Sequence, residues 1–205
     1  MITAEQYQKA IAQIDALHNA DPNTVEHDAQ TVSAEWLYSE RMLQILLLHT
    51  PSADYVLKLA AKCQHNKRWE IPRSTFEINK KGYYQWRAAI MEHQLAVTTQ
   101  ALHQSGLEAA DIELVCNALR SKNDKTHAQA AIIEDVACLV FIKWYLVDFA
   151  SQFDVEKATV ILKKTAAKMT DYGISIIPQT APNDKVLQIL QLLSPPDGAD
   201  LQSVT

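Results

Sequence analysis

Glycine is scarce in this chain: four of 205 residues are glycine and seven are proline. Strand-rich proteins need more turn residues than that, so helix is favoured. Basic residues are in deficit, with 19 lysines and arginines against 24 acids and a formal net charge of −5. That balance argues against general nucleic-acid binding, which leaves a basic footprint, but it leaves room for a local basic pocket. Cysteine is sparse too. Cys63, Cys116 and Cys138 are widely spaced inside helical patterns, which suits reduced thiols in a cytoplasmic protein better than a disulfide framework. The opening residues, MITAEQYQKA, lack the apolar stretch of a signal peptide. The length suits one all-helical domain over residues 1–194, followed by a flexible tail over 195–205.

What the chain does have is one greasy stretch, Ile132 to Ala150, with the sequence IIEDVACLVFIKWYLVDFA. It is nearly long enough to span a membrane. Glu134, Asp135, Lys143 and Asp148 interrupt it, and carboxylates are expensive in lipid, so it reads as the core helix of a soluble protein. On a helical wheel Asp135 falls with Ile132, Leu139 and Ile142. Glu134 falls with Ala131 and Phe141. A buried, unpaired carboxylate is costly, so a cation must answer at least one of them: a metal ion, an arginine or a lysine.

The periodicity predicts further helices. Thr3 caps one over 3–19. The segment 25–32 reads as a polar loop in which His27 and Asp28 are solvated. Ser33 caps a helix over 34–49, with Trp36, Leu37, Leu43, Leu46 and Leu47 inward and Glu40 on the same stripe. A third helix spans 53–66 and runs into the densest polar-aromatic cluster of the chain, QHNKRWEIPR, which holds His65, Arg68, Trp69 and Arg73. Pro72 disfavours helix there. A loop over 74–81 leads to a long helix over 83–104, closed by Gly106. That helix carries Tyr83, Trp86, Arg87 and an inward His93. Helices follow over 108–121, 128–150, 154–171 and 182–193. The loop before the greasy helix brings Lys122 and Lys125 toward its carboxylates.

Glu40, His65, His93 and the Glu134/Asp135 pair therefore stand on different helices that a bundle can bring together. Imidazole and carboxylate ligands suit a divalent ion such as Mn, Fe, Zn or Ni. The order of these residues resembles the HD-domain metal-dependent phosphohydrolases over roughly residues 33–150. In that superfamily an early His, a His-Asp doublet and a later Asp hold the metal. The resemblance implies an all-α, HD-like bundle in which His65, His93 and Asp135 are ligands. Asn66 stands where the doublet has Asp, and Glu40 stands near the place of the early His. The blocks QHNKRWEIPR, GYYQWR and EDVACLVF look more closely like an uncharacterised bacterial and fungal family of unknown function.

The leading expectation is an HD-like phosphohydrolase acting on a small phosphorylated metabolite, with nucleotides among the candidates. His65, His93, Asp135 and Glu40 would hold the metal. Glu134 and Lys122 would take part in catalysis. Arg68, Arg73 and Arg87 would clamp phosphate, and Trp69 or Trp86 would stack on a base. The alternative is a metal-free module binding an anionic metabolite or a protein partner. In a third reading the whole polar set is a buried ion-pair network that sets helix register.

Overall fold

The computed structural model describes residues 1–120, 128–152 and 155–180. Lys122, Lys125, the helix expected over 182–193 and the tail over 195–205 lie outside those residues. The described chain is mostly helix with one two-stranded sheet. It divides into two compact units, Met1–Val136 and Ala137–Thr205.

In the first unit, α1 (Ala4–Asn19) begins with a capping box. The Thr3 hydroxyl accepts from the Gln6 amide at 3.2 Å, and the Gln6 side chain accepts from the Thr3 amide at 3.0 Å. Two orphan donors are thereby satisfied at the helix start. Ala10, Ile14 and His18 form its buried stripe. The segment expected to be a loop is instead a hairpin, β1 (Thr24–His27) against β2 (Gln30–Ser33), with His27 opposite Gln30. Asp28 and Ala29 form its two-residue turn at φ 49 and 60. That is the twist a tight hairpin needs, reached here without glycine. His27 and Asp28 meet at 3.5 Å on the exposed turn.

Ser33 ends β2 and caps α2 (Ala34–His49). Its hydroxyl accepts from the Trp36 amide at 3.1 Å and donates to the His18 carbonyl at 2.5 Å, tying α2 to the end of α1. Leu37, Met42, Ile45, Leu46 and His49 are buried along α2. Leu47, expected inward, is 41% exposed. The run LQILLLH offers apolar residues on several faces, and the packing selects the stripe at 42, 45, 46 and 49.

Asp54 caps α3 (Tyr55–Lys62) by accepting from the Leu57 amide at 2.9 Å. The helix stops four residues earlier than its pattern suggests. His65 and Lys67 adopt left-handed φ of 65 and 51, which turns the chain out of the helix. Two short 3-10 turns follow, Arg68–Glu70 and Arg73–Thr75. Asn79 then caps α4 (Lys80–Gln104), its side chain accepting from the Gly82 amide at 2.7 Å. Gly82 thus lies inside the first turn rather than before the helix. A Cβ there would sit 2.2 Å from the Glu77 carbonyl oxygen, so the incoming loop requires glycine. At the other end Gly106 takes φ 79, and its amide reaches His103 O at 3.0 Å while that of Leu107 reaches Leu102 O at 3.2 Å. This paired closure satisfies two orphan carbonyls. The next helix, α5 (Ala109–Leu119), buries Ile112, Val115, Cys116 and Leu119. It packs on α3 and α4, while α3 also packs on α2. The division between the units falls within α6 (Ala128–Val140), whose Ile133, Asp135 and Val136 are buried.

In the second unit the greasy segment does not run as one regular helix. A π turn over Phe141–Tyr145 precedes α7 (Leu146–Ala150). The helix expected over 154–171 is observed as α8 (Val155–Ala166), followed by α9 (Asp171–Ser175) and α10 (Ile177–Thr180). Thr170 caps α9 by accepting from the Gly173 amide at 3.0 Å. Among the described residues no helix is long and apolar enough to cross a membrane.

Candidate functional site

Asp135 is 1% exposed, as its place in the apolar run demands. Its Oδ2 lies 3.2 Å from His49 Nε2, and His49 Nδ1 lies 2.9 Å from Thr50 Oγ1. A histidine thus faces this carboxylate, a contact not among the metal ion, arginine or lysine that were expected. The signal for it lay in the sequence: His49 continues the 42, 45, 46 stripe at helical spacing. Glu134, the other carboxylate, is only half-buried.

Glu40 is answered separately. Lys62, 1% exposed at the end of α3, donates to Glu40 Oε1 and, at 2.6 Å, to Asp15 Oδ1. One ammonium thus joins α1, α2 and α3. Beside it His18 Nε2 meets the Lys62 carbonyl at 2.8 Å. Burial pushes the His18 imidazole below the usual histidine range, and the bond to that carbonyl opposes the shift.

His65 stands at the other end of α2. Its ring stacks on Tyr38 at 4.1 Å with 14° between the planes. Glu35 Oε2 lies 3.4 Å from its Nδ1, and Arg68 Nη1 lies 3.0 Å from its Nε2. A guanidinium can only donate, so Nε2 must accept. The ring proton of the neutral form then sits on Nδ1, facing Glu35. Burial pushes the His65 imidazole down, Glu35 pulls it up, and the charges of Arg68 and Arg87 push it down again. The net direction is down, which favours the neutral ring.

The chain leaving His65 is rich in cations over aromatic faces. The Arg68 guanidinium lies 5.3 Å from the centre of the Trp86 ring, and that of Arg73 lies 6.0 Å away. Trp86 is held by donating its indole N–H to the Ile71 carbonyl at 2.9 Å. Arg73 donates to the carbonyls of Phe76 at 3.0 Å and Glu77 at 2.7 Å, so it braces the loop into α4. Arg87 is exposed and Trp69 half-buried. His93 Nε2 lies 3.0 Å from Glu70 Oε2, short of good hydrogen-bond direction. Glu70 also accepts from Lys67 at 2.8 Å, and that bond holds its carboxyl below the usual range. Asn66 is fully buried. Its amide donates to Thr98 Oγ1 at 3.0 Å, while its Oδ1 has no hydrogen-bond partner among the described residues. None of Arg68, Arg73 and Arg87 is paired with a carboxylate among the described residues.

The structure thus brings His65, Arg68, Arg73 and Trp86 together, with Arg87 within electrostatic reach and His93 tied to Glu70. It does not bring Asp135 or Glu40 to His65 as shared ligands. His65 touches Glu35 and Tyr38 at the start of α2, whereas Asp135 touches His49 at its end. Tyr38 and His49 are eleven residues apart, about 16 Å along a helix axis. Ligands of one ion must lie within about 4 Å of each other, given bonds of about 2 Å. A single metal held by His65, His93, Asp135 and Glu40 does not fit this arrangement. Among the described residues no group of three or more His, Cys, Asp or Glu side chains is arranged to hold a metal ion. Elsewhere in the first unit, a cavity of about 550 Å³ is lined by Ile2, Ala53, Tyr55, Val56 and Leu114, among others, and by none of the arginines.

No curated protein and no solved structure matches the chain. A family model does match, over residues 8–190. The chain accordingly belongs to the family described as Domain of unknown function (DUF4202).

Proposed function

We propose that the chain binds a small phosphorylated, or otherwise anionic, metabolite at the cluster of His65, Arg68 and Trp86, with Arg87 at its edge. The observation that carries this reading is the missing counter-charge. The three arginines lack a carboxylate partner among the described residues, in a protein whose net charge is −5. Arg68 is already oriented, with one face toward Trp86 and one N–H toward His65. Its remaining donors suit a phosphate, which takes two parallel N–H bonds from one guanidinium. A neutral His65 adds no competing charge and fixes Arg68 through its lone pair. Tyr38 and Glu35 in turn fix His65.

The test is thermal unfolding with inorganic phosphate, pyrophosphate and nucleoside monophosphates, at ionic strength matched with chloride. At roughly 100 times Kd a ligand adds about 2.7 kcal/mol, which raises Tm by about 5–10 °C for a chain of this size. Arg68→Gln is expected to remove the rise. Wild-type protein that shows no rise with any of these anions at millimolar concentration refutes the reading.

A hydrolytic version, akin to the HD-domain phosphohydrolases, is the second reading. The observation that favours it is Asn66, whose buried Oδ1 has no hydrogen-bond partner among the described residues and which stands at the position of the superfamily doublet. Glu35, on the early helix, faces His65, its Oε2 3.4 Å from the ring Nδ1. Turnover of phosphate esters after incubation with Mn, Fe, Zn or Ni, lost in His65→Ala, would select it. A full panel left untouched in every metal would exclude it and leave the binding module.

A further inference from the structure

We propose that the exposed face of the first two turns of α4 is a binding strip for single-stranded nucleic acid. The charge of the chain is unevenly distributed. Between residues 64 and 87 there are six basic residues and two acids, a net of +4, so the rest of the chain carries −9. Within this region Lys80, Tyr83, Tyr84 and Arg87 follow the spacing i, i+3, i+4, i+7 and so share one stripe of the helix. All four are exposed, Tyr83 at 44% and Tyr84 at 60%. The two tyrosine rings meet edge to face at 5.6 Å, and Tyr83 leans on Trp86 at 5.9 Å. Two adjacent aromatic rings are thus bracketed by a cation at either end.

The strip carries a local electrostatic cost. Lys80 and Lys81 occupy the first turn of α4, which contains no acid. Cations there oppose the helix dipole. An external polyanion along the strip would relieve that repulsion and pair with Arg87, which has no carboxylate partner among the described residues.

The shape favours a single strand over other polyanions. Lys80 and Arg87 are about 10 Å apart along the axis, so the strip is longer than one phosphate. Exposed rings offer stacking to bases only when those bases are unstacked from a duplex, and such stacking tolerates any sequence. Arg87 belongs to both the strip and the metabolite site, which otherwise use different side chains, so the two can fail separately.

The experiment is fluorescence anisotropy of a labelled oligothymidylate of about 12 nucleotides, long enough to cover the strip, titrated with the full chain at several salt concentrations. Wild type is expected to bind with micromolar Kd at low salt. Tyr84→Ala should weaken binding about tenfold, the effect of removing one stacked base. The variant Lys80→Ala should flatten the slope of log K against log salt by about 0.7, the contribution of one neutralised phosphate. Pyrophosphate-induced stabilisation measured on the Tyr84→Ala variant reports the metabolite site independently. Two outcomes overturn the proposal. One is wild-type binding too weak to saturate at about 100 μM protein in low salt. The other is a Tyr84→Ala variant that binds like wild type while polyglutamate competes as well as the oligonucleotide, which would make the strip a generic anion surface.

Discussion

Lys62 offers the sharpest test of how the first unit is held together, because its triad is asymmetric. The ammonium side chain is 1% exposed, while the side chains of Asp15 and Glu40 are 29% and 41% exposed. Removing the cation therefore strands two carboxylates that can turn toward water. Removing the carboxylates strands a cation that cannot. Lys62→Met keeps most of the buried volume and is expected to cost about 0–2 kcal/mol, as a near volume-conserving swap beside rehydrated acids. Asp15→Asn with Glu40→Gln leaves a buried, uncompensated ammonium and is expected to cost about 3–5 kcal/mol. With a urea m-value of about 2–3 kcal/mol/M, the double acid variant should lower the midpoint by about 1–2 M, and Lys62→Met by less than about 1 M. Urea unfolding followed by circular dichroism reads both. A Lys62→Met variant that loses as much stability as the acid-side variant would refute this account, since the stranded charge would then not be what sets the cost. The same result would reopen a role for Glu40 other than holding Lys62.

Two further outcomes follow from the same physics. Gly82→Ala places a Cβ 2.2 Å from the Glu77 carbonyl oxygen, a backbone clash expected to cost about 1–3 kcal/mol. Amide exchange should quicken first over residues 73–79, and unchanged exchange there would contradict the close approach. The second concerns acid. The folded-state pKa values of His18 and His65 lie below the usual 6.5. The unfolded chain therefore binds more protons below about pH 6.5, and stability should fall as pH drops from there toward the lowered values, while staying level above it with respect to these two groups. Urea midpoints between about pH 8 and pH 5 check the sign, and a midpoint that rises on acidification would show it to be wrong.

Much of the fold was legible because its signals are local. Thr3 with Gln6, Ser33 before Trp36, and Gly106 after Gln104 each specify a helix end through hydrogen bonds that span a few residues. The buried stripe of α5 follows from spacing alone. The hairpin was not legible, because Asp28 and Ala29 supply its left-handed turn where a glycine would have announced it. The early stop of α3 was missed for a related reason: His65 and Lys67 take left-handed φ without a glycine to announce it.

The candidate site divides along the same line. The residue types between His65 and Trp86 could be read from the chain, whereas the folding of that run so that Arg68 and Arg73 lie over Trp86 could not, since a run of that length reaches about 70 Å when extended. Nor could the partners of the buried charges. Asp135 meets a histidine 86 positions away, and Lys62 reaches back 47 positions to Asp15 and 22 to Glu40. Burial in an apolar run requires that a carboxylate be answered, and the order of residues was enough to establish that need. Which side chain answers it depends on how the helices pack, because packing sets which residues from distant turns share a water-excluded space. That choice belongs to the tertiary structure, and it sent Asp135 and His65 to opposite ends of α2.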